Sequence, residues 1–287
     1  MSTDSVEAEA AADICCASCG IGGVDDVKLK ECDACDLVHY CSDNCKQDHS
    51  PNHEQLCKER AAELRDEILF RQPESSHFGD CPICCLPLPL DPKESVKYFC
   101  CSKLVCKGCS FANMAREFSE KCAPKCPFCR HLCGQSKEES KRLRKKRFEA
   151  NDPFAVREVG RKHFGDGDYE RAFEYFTKAA DFGDVAAQFN LSVMYRKGQG
   201  VEKDLGKEAY HLEEAAIRGH PTARHSLGCS DGGNGRFDRA VKHWIIAAKL
   251  GHDDSLDNLN VCFRRGLVSK EDFAATLRAH QAAVEAT

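Results

Sequence analysis

The sequence predicts a multidomain chain: two small metal-stabilised modules with little regular structure, followed by an all-α helical repeat solenoid. Three observations predict it. Nineteen of the 21 cysteines lie in the first 133 of 287 residues, most of them in pairs two or three residues apart. From Pro153 onward that chemistry stops, and an Ala-Ala-x2-Gly signature recurs at Ala179, Ala215 and Ala247, spaced by 36 and 32 residues. The charged fraction of 30% suits a soluble chain of two or three units, and no apolar run approaches the ~20 residues a membrane helix needs.

These shifts divide the chain into a tail expected to be disordered (1–14), a first cysteine module (15–57), a helical linker (58–80), a second cysteine module (81–133), a charged linker (134–152) and a repeat region (153–287). Clustered cysteines in a secreted chain would mean disulfides. Here Met1 to Asp13 is acidic and rich in small residues, without the basic start and apolar core of a signal peptide. A reducing compartment, cytoplasm or nucleus, is expected, with thiolates closing on zinc at ~2.3 Å.

The first module supplies the eight ligands that two tetrahedral sites need. Cys16/Cys19 and Cys32/Cys35 suit tight turns, whereas Cys41/Cys45 and His53/Cys57 are i, i+4 pairs that a helical turn would place on one face. Cys15 competes with Cys16, and His49 with His53. Gly20 to Lys30 is glycine-rich and poor in large apolar residues, so metal must supply much of the folding free energy, on the order of 10 kcal/mol per site. The order of these pairs, with Tyr40-Cys41-Ser42, resembles the MYND zinc finger. The resemblance implies interleaving: Cys16, Cys19, Cys41 and Cys45 on one zinc, Cys32, Cys35, His53 and Cys57 on the other. It also implies a protein-docking role, often toward proline-containing peptides.

Lys58 to Gln72 lacks glycine and proline and reads as a helix joining the modules. Leu86 to Pro92 favours extended backbone leaving a knuckle. The second module carries Cys81/Cys84, Cys106/Cys109, Cys126/Cys129 and the doublet Cys100-Cys101, and resembles a RING-type domain. That resemblance implies one site from Cys81, Cys84, Cys106 and Cys109, and another from Cys101, Cys126, Cys129 and a fourth ligand. The family's histidine position is Lys103, whose amine is normally protonated, so Cys100 is the nearest substitute, with Cys122, His131 and Cys133 as further candidates. About four zinc ions per chain follow. Ile83 and Arg130 occupy positions where RING ligases touch the ubiquitin-conjugating enzyme and ubiquitin; the bland alternative is a packed apolar residue and a surface charge.

The net charge of −5 gives no general pull toward nucleic acid, which is not expected as a partner. The one basic run, Lys141 to Arg147, is flanked by Glu138, Glu139 and Glu149 and reads as the solvated face of a linker helix, with a nuclear-import signal or phosphate patch as the alternative.

In the repeat region each signature glycine follows a large apolar residue by seven positions: Phe176, Leu212 and Trp244. Small alanines permit close helix approach, the large residue fills the gap, and glycine ends the helix at φ > 0. A second anchor recurs as Val159, Leu191 and Leu227. This is the logic of stacked helix pairs. The pattern resembles Sel-one-like repeats, relatives of tetratricopeptide repeats, and implies a scaffold for protein complexes. Ser230 to Gly235 is expected to shorten a loop, a partial pair from Leu256 to Ala286 to cap the array, and Cys229 and Cys262 to be packed helix residues.

The expected function is a zinc-binding adaptor of the RING ubiquitin-ligase kind, with partners chosen by the first finger and the repeats. The alternative is a non-enzymatic scaffold that uses zinc only for folding.

Overall fold

The computed structural model describes residues 15–21, 28–133 and 136–285, so the expected tail 1–14 and the end of the capping pair at Ala286 lie outside the described residues. The chain divides into two compact units between Leu69 and Phe70. No helix among the described residues is long and apolar enough to cross a membrane.

The first unit holds a minimal antiparallel ladder, β1 (Lys30–Glu31) against β2 (His39–Tyr40), and one long helix, α1 (Asp43–Leu69). Ser42 starts that helix: its hydroxyl accepts the Cys45 N–H at 3.3 Å, and Asp43 places negative charge at the positive end of the helix dipole. The linker helix expected over 58–80 is therefore the end of a helix that begins at Asp43 and stops at Leu69. Pro73 disfavours helical backbone at the residue before it, and residues from Phe70 onward belong to the second unit. The buried core of the first unit is Cys16, Cys32, Cys35 and Tyr40, so the candidate ligands are themselves the core.

The second unit begins with a segment laid along the repeats. The Phe70 ring lies 4.7 Å from that of His243, the His77 N–H donates to Gly219 O at 2.9 Å, and the His77 ring stacks on His220 at 4.2 Å. A hairpin of β3 (Ser95–Tyr98) and β4 (Lys103–Cys106) leads into α2 (Lys107–Ser119), around a core of Cys81, Leu88 and Val105. The charged linker is largely helical, α3 (Lys137–Glu149). Part of its basic run has structural partners: Arg147 donates to Phe99 O at 3.1 Å and to Cys100 O, and Arg144 lies over the Phe99 ring at 4.3 Å.

Eight helices follow: α4 (Pro153–Gly165), α5 (Tyr169–Asp181), α6 (Val185–Lys197), α7 (Leu205–Ile217), α8 (Pro221–Gly233), α9 (Phe237–Lys249), α10 (Asp253–Arg264) and α11 (Lys270–Glu285). Helices α4/α5, α6/α7 and α8/α9 pack as pairs, and α10 and α11 close the array against α9. Each corner between pairs has one construction. A left-handed residue (Asn151, Gly183, Gly219 or Gly251) precedes a side chain that caps the next helix (Asp152, Asp184, His220 or His252). Two of these caps are histidines, whose Nδ1 accepts the helix N–H and so must be unprotonated.

Within pairs, glycine admits the large residue that faces it. A Cβ on Gly160 would stand 2.8 Å from the Phe176 ring, and one on Gly228 only 2.6 Å from Trp244 Nε1. The anchor expected at Val159 is half-buried, and the neighbouring Val156 is fully buried instead. Ser230 to Gly233 also departs from its expected loop and completes α8. Asp231 there is buried because Arg236 (2.7 Å), Arg239 (3.4 Å) and His243 (3.6 Å) converge on its carboxylate.

Candidate metal centres

Among the described residues four donor sets come together: Cys16, Cys19, Cys41, Cys45; Cys32, Cys35, His53, Cys57; Cys81, Cys84, Cys106, Cys109; and Cys100, Cys101, Cys126, Cys129. In each set the donor atoms lie within 4.8 Å of one another. Four thiolates around one zinc at ~2.3 Å would stand about 3.8 Å apart. The observed sulfur separations are 3.5 Å for Cys19–Cys41, 3.7 Å for Cys32–Cys57, 3.8 Å for Cys84–Cys106 and 3.7 Å for Cys101–Cys126. Cys35 Sγ and His53 Nε2 are 3.1 Å apart. All four sets fit tetrahedral zinc, about four ions per chain.

The electrostatics agree with that donor set. Backbone N–H groups, that of Cys19 foremost, lower the Cys16 thiol to about 6. At Cys81 burial opposes ionisation, but N–H groups of Cys84, Cys106 and Ile83 outweigh it and bring the thiol to about 6 as well. Their neighbours then resist: contact with the Cys19 sulfur drives Cys41 up to about 12, and burial followed by crowding against Cys32 drives Cys57 to about 11. One thiolate per set is favoured and a second is opposed, a conflict that a divalent cation removes.

The paired cysteines owe their position to a repeated knuckle. In Cys16, Cys32, Cys81 and Cys126 the carbonyl accepts the N–H of the residue four places on, which is left-handed in every case: Gly20 (φ 75°), Asp36 (53°), Cys85 (58°) and Arg130 (62°). The N–H of the first cysteine closes the loop on a carbonyl just beyond, as from Cys81 to Leu86 O and from Cys126 to His131 O. Spacing gave the pairs; the left-handed residue after each one is a signal that sequence reading passed over.

Competing candidates fall outside the sets. Cys15 is exposed, and His49 accepts or donates to the Tyr40 hydroxyl at 3.0 Å while its ring stacks on His53. The sulfur of Cys122 faces Glu120 O, His131 Nε2 lies 3.8 Å from Glu139, and Cys133 Sγ faces His131 O. Lys103 points its ammonium over the Phe128 ring at 5.4 Å. Cys41 precedes α1, so its approach to Cys45 (3.6 Å) comes from the chain entering the helix and not from a shared helical face.

Ile83 and Arg130 lie at the tips of two knuckles. Ile83 is 42% exposed. The Arg130 guanidinium bonds Asn113 Oδ1 at 3.1 Å and lies 3.6 Å from the carboxylate of buried Glu117.

Family models match the first finger and the repeats. Residues 16–57 match the MYND finger model, and residues 156–184, 185–220 and 234–252 match the Sel1 repeat model. The chain carries a MYND finger and Sel1 repeats. DAP3-binding cell death enhancer 1 of Mus musculus is 26% identical over 165 residues, covering 44% of this chain and 32% of the mouse protein. Its Rattus norvegicus counterpart is 25% identical over 174 residues, covering 47% of this chain and 34% of the rat protein. The chain thus spans about a third of the length of these relatives. A solved Sel1 repeat protein from Oxalobacter formigenes is 28% identical, with a TM-score of 0.44 over 53% of this chain and 66% of that one.

Proposed function

We propose that this protein is a zinc-folded interaction scaffold whose MYND finger and Sel1 repeats bind protein partners. The observation that carries it is the use of sixteen cysteine and histidine donors in four closed sets, each filled by protein ligands with no open position for substrate. On this reading Cys16, Cys19, Cys41 and Cys45 hold one zinc, and Cys32, Cys35, His53 and Cys57 the next. Cys81, Cys84, Cys106 and Cys109 hold the third, and Cys100, Cys101, Cys126 and Cys129 the fourth. Zinc supplies the folding free energy that such small cores lack. On this reading a proline-containing peptide binds beside the second donor set, where Tyr40, Lys46, Ser50, Glu54, Lys58 and Ala61 share a cleft with Cys32, His53 and Cys57. The name of the rodent relatives describes a binder, which accords with a scaffold.

A second reading makes the 81–133 module RING-like and the protein a ubiquitin-ligase-type adaptor. Exposed Ile83 supports it as a contact for the conjugating enzyme, and the half-exposed guanidinium of Arg130 as a contact for ubiquitin. The module would then act by holding the charged enzyme in a reactive pose. Auto-ubiquitylation by the zinc-loaded chain with a panel of conjugating enzymes separates the two. Activity lost in Ile83→Ala establishes the ligase; inactivity of a chain that carries four zinc ions by native mass spectrometry leaves the scaffold.

A further inference from the structure

A groove of about 660 Å³ is lined by α3, α4 and the turn between β3 and β4. Its apolar lining is Phe99 from the turn, Phe148 from α3, and Ala155 and Val159 from α4. The anchor expected at Val159 is the residue left half-buried here, while Val156 is fully buried in the repeat core. The cationic lining comes from the same two helices: exposed Arg144 and Lys145 on α3, exposed Arg161 and Lys162 on α4. The groove thus lies outside the MYND finger. It uses two residues of the basic run that neither metal binding nor repeat stacking accounts for.

The charges of the groove do not cancel. Glu158 is the one acid among its described lining residues, and Arg157 (3.7 Å) and Arg161 (3.2 Å) already hold it. Lys145 reaches Glu149 at 3.7 Å, an exposed pair that contributes little. Among the described residues neither the Arg144 nor the Lys162 side chain has an ion pair or a hydrogen-bond partner. The Arg144 guanidinium lies over the Phe99 ring at 4.3 Å, which holds it at the groove while its N–H donors stay open. Lys178 of α5 adds an ammonium 5.9 Å from the Phe148 ring. A fitting ligand must bring apolar groups for the floor and anionic groups for the rim. Inorganic phosphate offers nothing to two phenylalanines and a valine. Single-stranded nucleic acid would stack bases on the rings. The net charge of −5, with Glu138, Glu139 and Glu149 on α3, opposes such a polyanion. An acidic peptide with apolar side chains between its carboxylates meets both demands.

We infer that this groove docks an acidic protein segment in which leucine or phenylalanine alternates with aspartate or glutamate. The apolar side chains enter among Phe99, Phe148 and Val159, and the carboxylates pair with Arg144 and Lys162. Lys145 exchanges Glu149 for a carboxylate of the partner. The inference rests on the scaffold reading and gives it a docking surface beyond the finger, where the second cysteine module meets the first repeat. One bound segment would touch the β3–β4 turn through Phe99 and the repeat array through α4.

Zinc-loaded full-length protein is titrated into a short fluorescein-labelled peptide that alternates leucine and phenylalanine with aspartate and glutamate, and anisotropy is followed at low and at physiological salt. Binding that weakens with salt is expected. Changing the carboxylates to amides, or the apolar residues to serine, should each weaken it by about tenfold or more. Lys162→Glu reverses an exposed, unpaired charge and should weaken it roughly tenfold. Val159→Ser should weaken it several-fold by removing part of the floor. Arg144→Glu should match Lys162→Glu; if loss of the ring contact unfolds it, Lys162→Glu decides. Equal affinity for the serine-substituted peptide would reduce the groove to a bare cationic patch and overturn the inference. So would unchanged binding in folded Lys162→Glu, or failure of the first peptide to bind while oligouridine binds and is lost in that variant. Auto-ubiquitylation by a chain that still binds the peptide would end the scaffold reading and leave the groove; absence of both would do the reverse.

Discussion

The guanidinium of Arg130 lies 3.6 Å from the carboxylate of Glu117, whose side chain is only 4% exposed while that of Arg130 is 49% exposed. An arginine whose sequence position suggested a partner contact is thus the cation for a buried acid, whose other oxygen accepts the Lys125 N–H and an Asn113 N–H, each at 3.0 Å. Loss of a wholly buried pair partner costs ~3–5 kcal/mol; with one member half in water, Arg130→Gln should cost about 1–2 kcal/mol. Thermal melts of Arg130→Gln, Glu117→Gln and the double variant should show non-additive losses. Additive losses would mean that the pair contributes nothing and that Arg130 is a free surface residue.

The fourth ligand of the last set is decided by counting metal. Cys100→Ser should lower the zinc content from four to about three, whereas Cys122→Ser and Cys133→Ser should leave it at four, because only Cys100 lies in the set, 3.4 Å from Cys129. Native mass spectrometry reads this directly. Retention of four ions in Cys100→Ser would remove it as a ligand.

Gly228→Ala places a methyl group where Trp244 Nε1 lies 2.6 Å away. The indole cannot retreat without moving α8 from α9, so a loss of about 1–3 kcal/mol is expected from overpacking, despite alanine's better helix propensity. Trp244 is the chain's single tryptophan, so its fluorescence during urea unfolding follows this contact without interference. A midpoint equal to or above the wild type would refute the tight fit.

Acid should weaken the second unit through its buried histidines. Burial lowers His77 to about 4 and His243 to about 3, against 6.5 for the unfolded side chain. Below that unfolded value the unfolded chain binds protons that the folded chain refuses, so stability falls as pH falls. The loss begins near pH 6.5 and is complete once the pH has dropped through the folded values. His77→Phe keeps an aromatic ring over His220 and removes one titration, so its Tm should fall less between pH 7.5 and 5.5 than that of the wild type. Parallel profiles would show that His77 does not titrate on unfolding.

Candidate donors and the order of the modules were legible in the chain alone, because ligand spacing and helical repeats are local properties. Cys81-x2-Cys84 and Ala179-Ala180-x2-Gly183 carry their geometry in a single turn of backbone. Whatever depends on residues distant in sequence came from the packed fold. It brought Cys100, and neither Cys122 nor Cys133, within donor range of Cys101, Cys126 and Cys129, because Cys100 lies in the turn between β3 and β4 and Arg147 of α3 bonds its carbonyl. It turned the half-hidden pair Gly228 and Trp244 into a contact between two helices. It buried Asp231 against two arginines, Arg236 and Arg239, and neutral His243 from the next helix and its approach, while α8 runs on through glycines that locally favour a turn. It left Cys229, expected to be a packed helix residue, exposed on α8 with its sulfur 3.3 Å from His225 Nε2, while Cys262 is buried as expected. Local physics sets which groups are present; packing of one repeat on the next sets which of them meet.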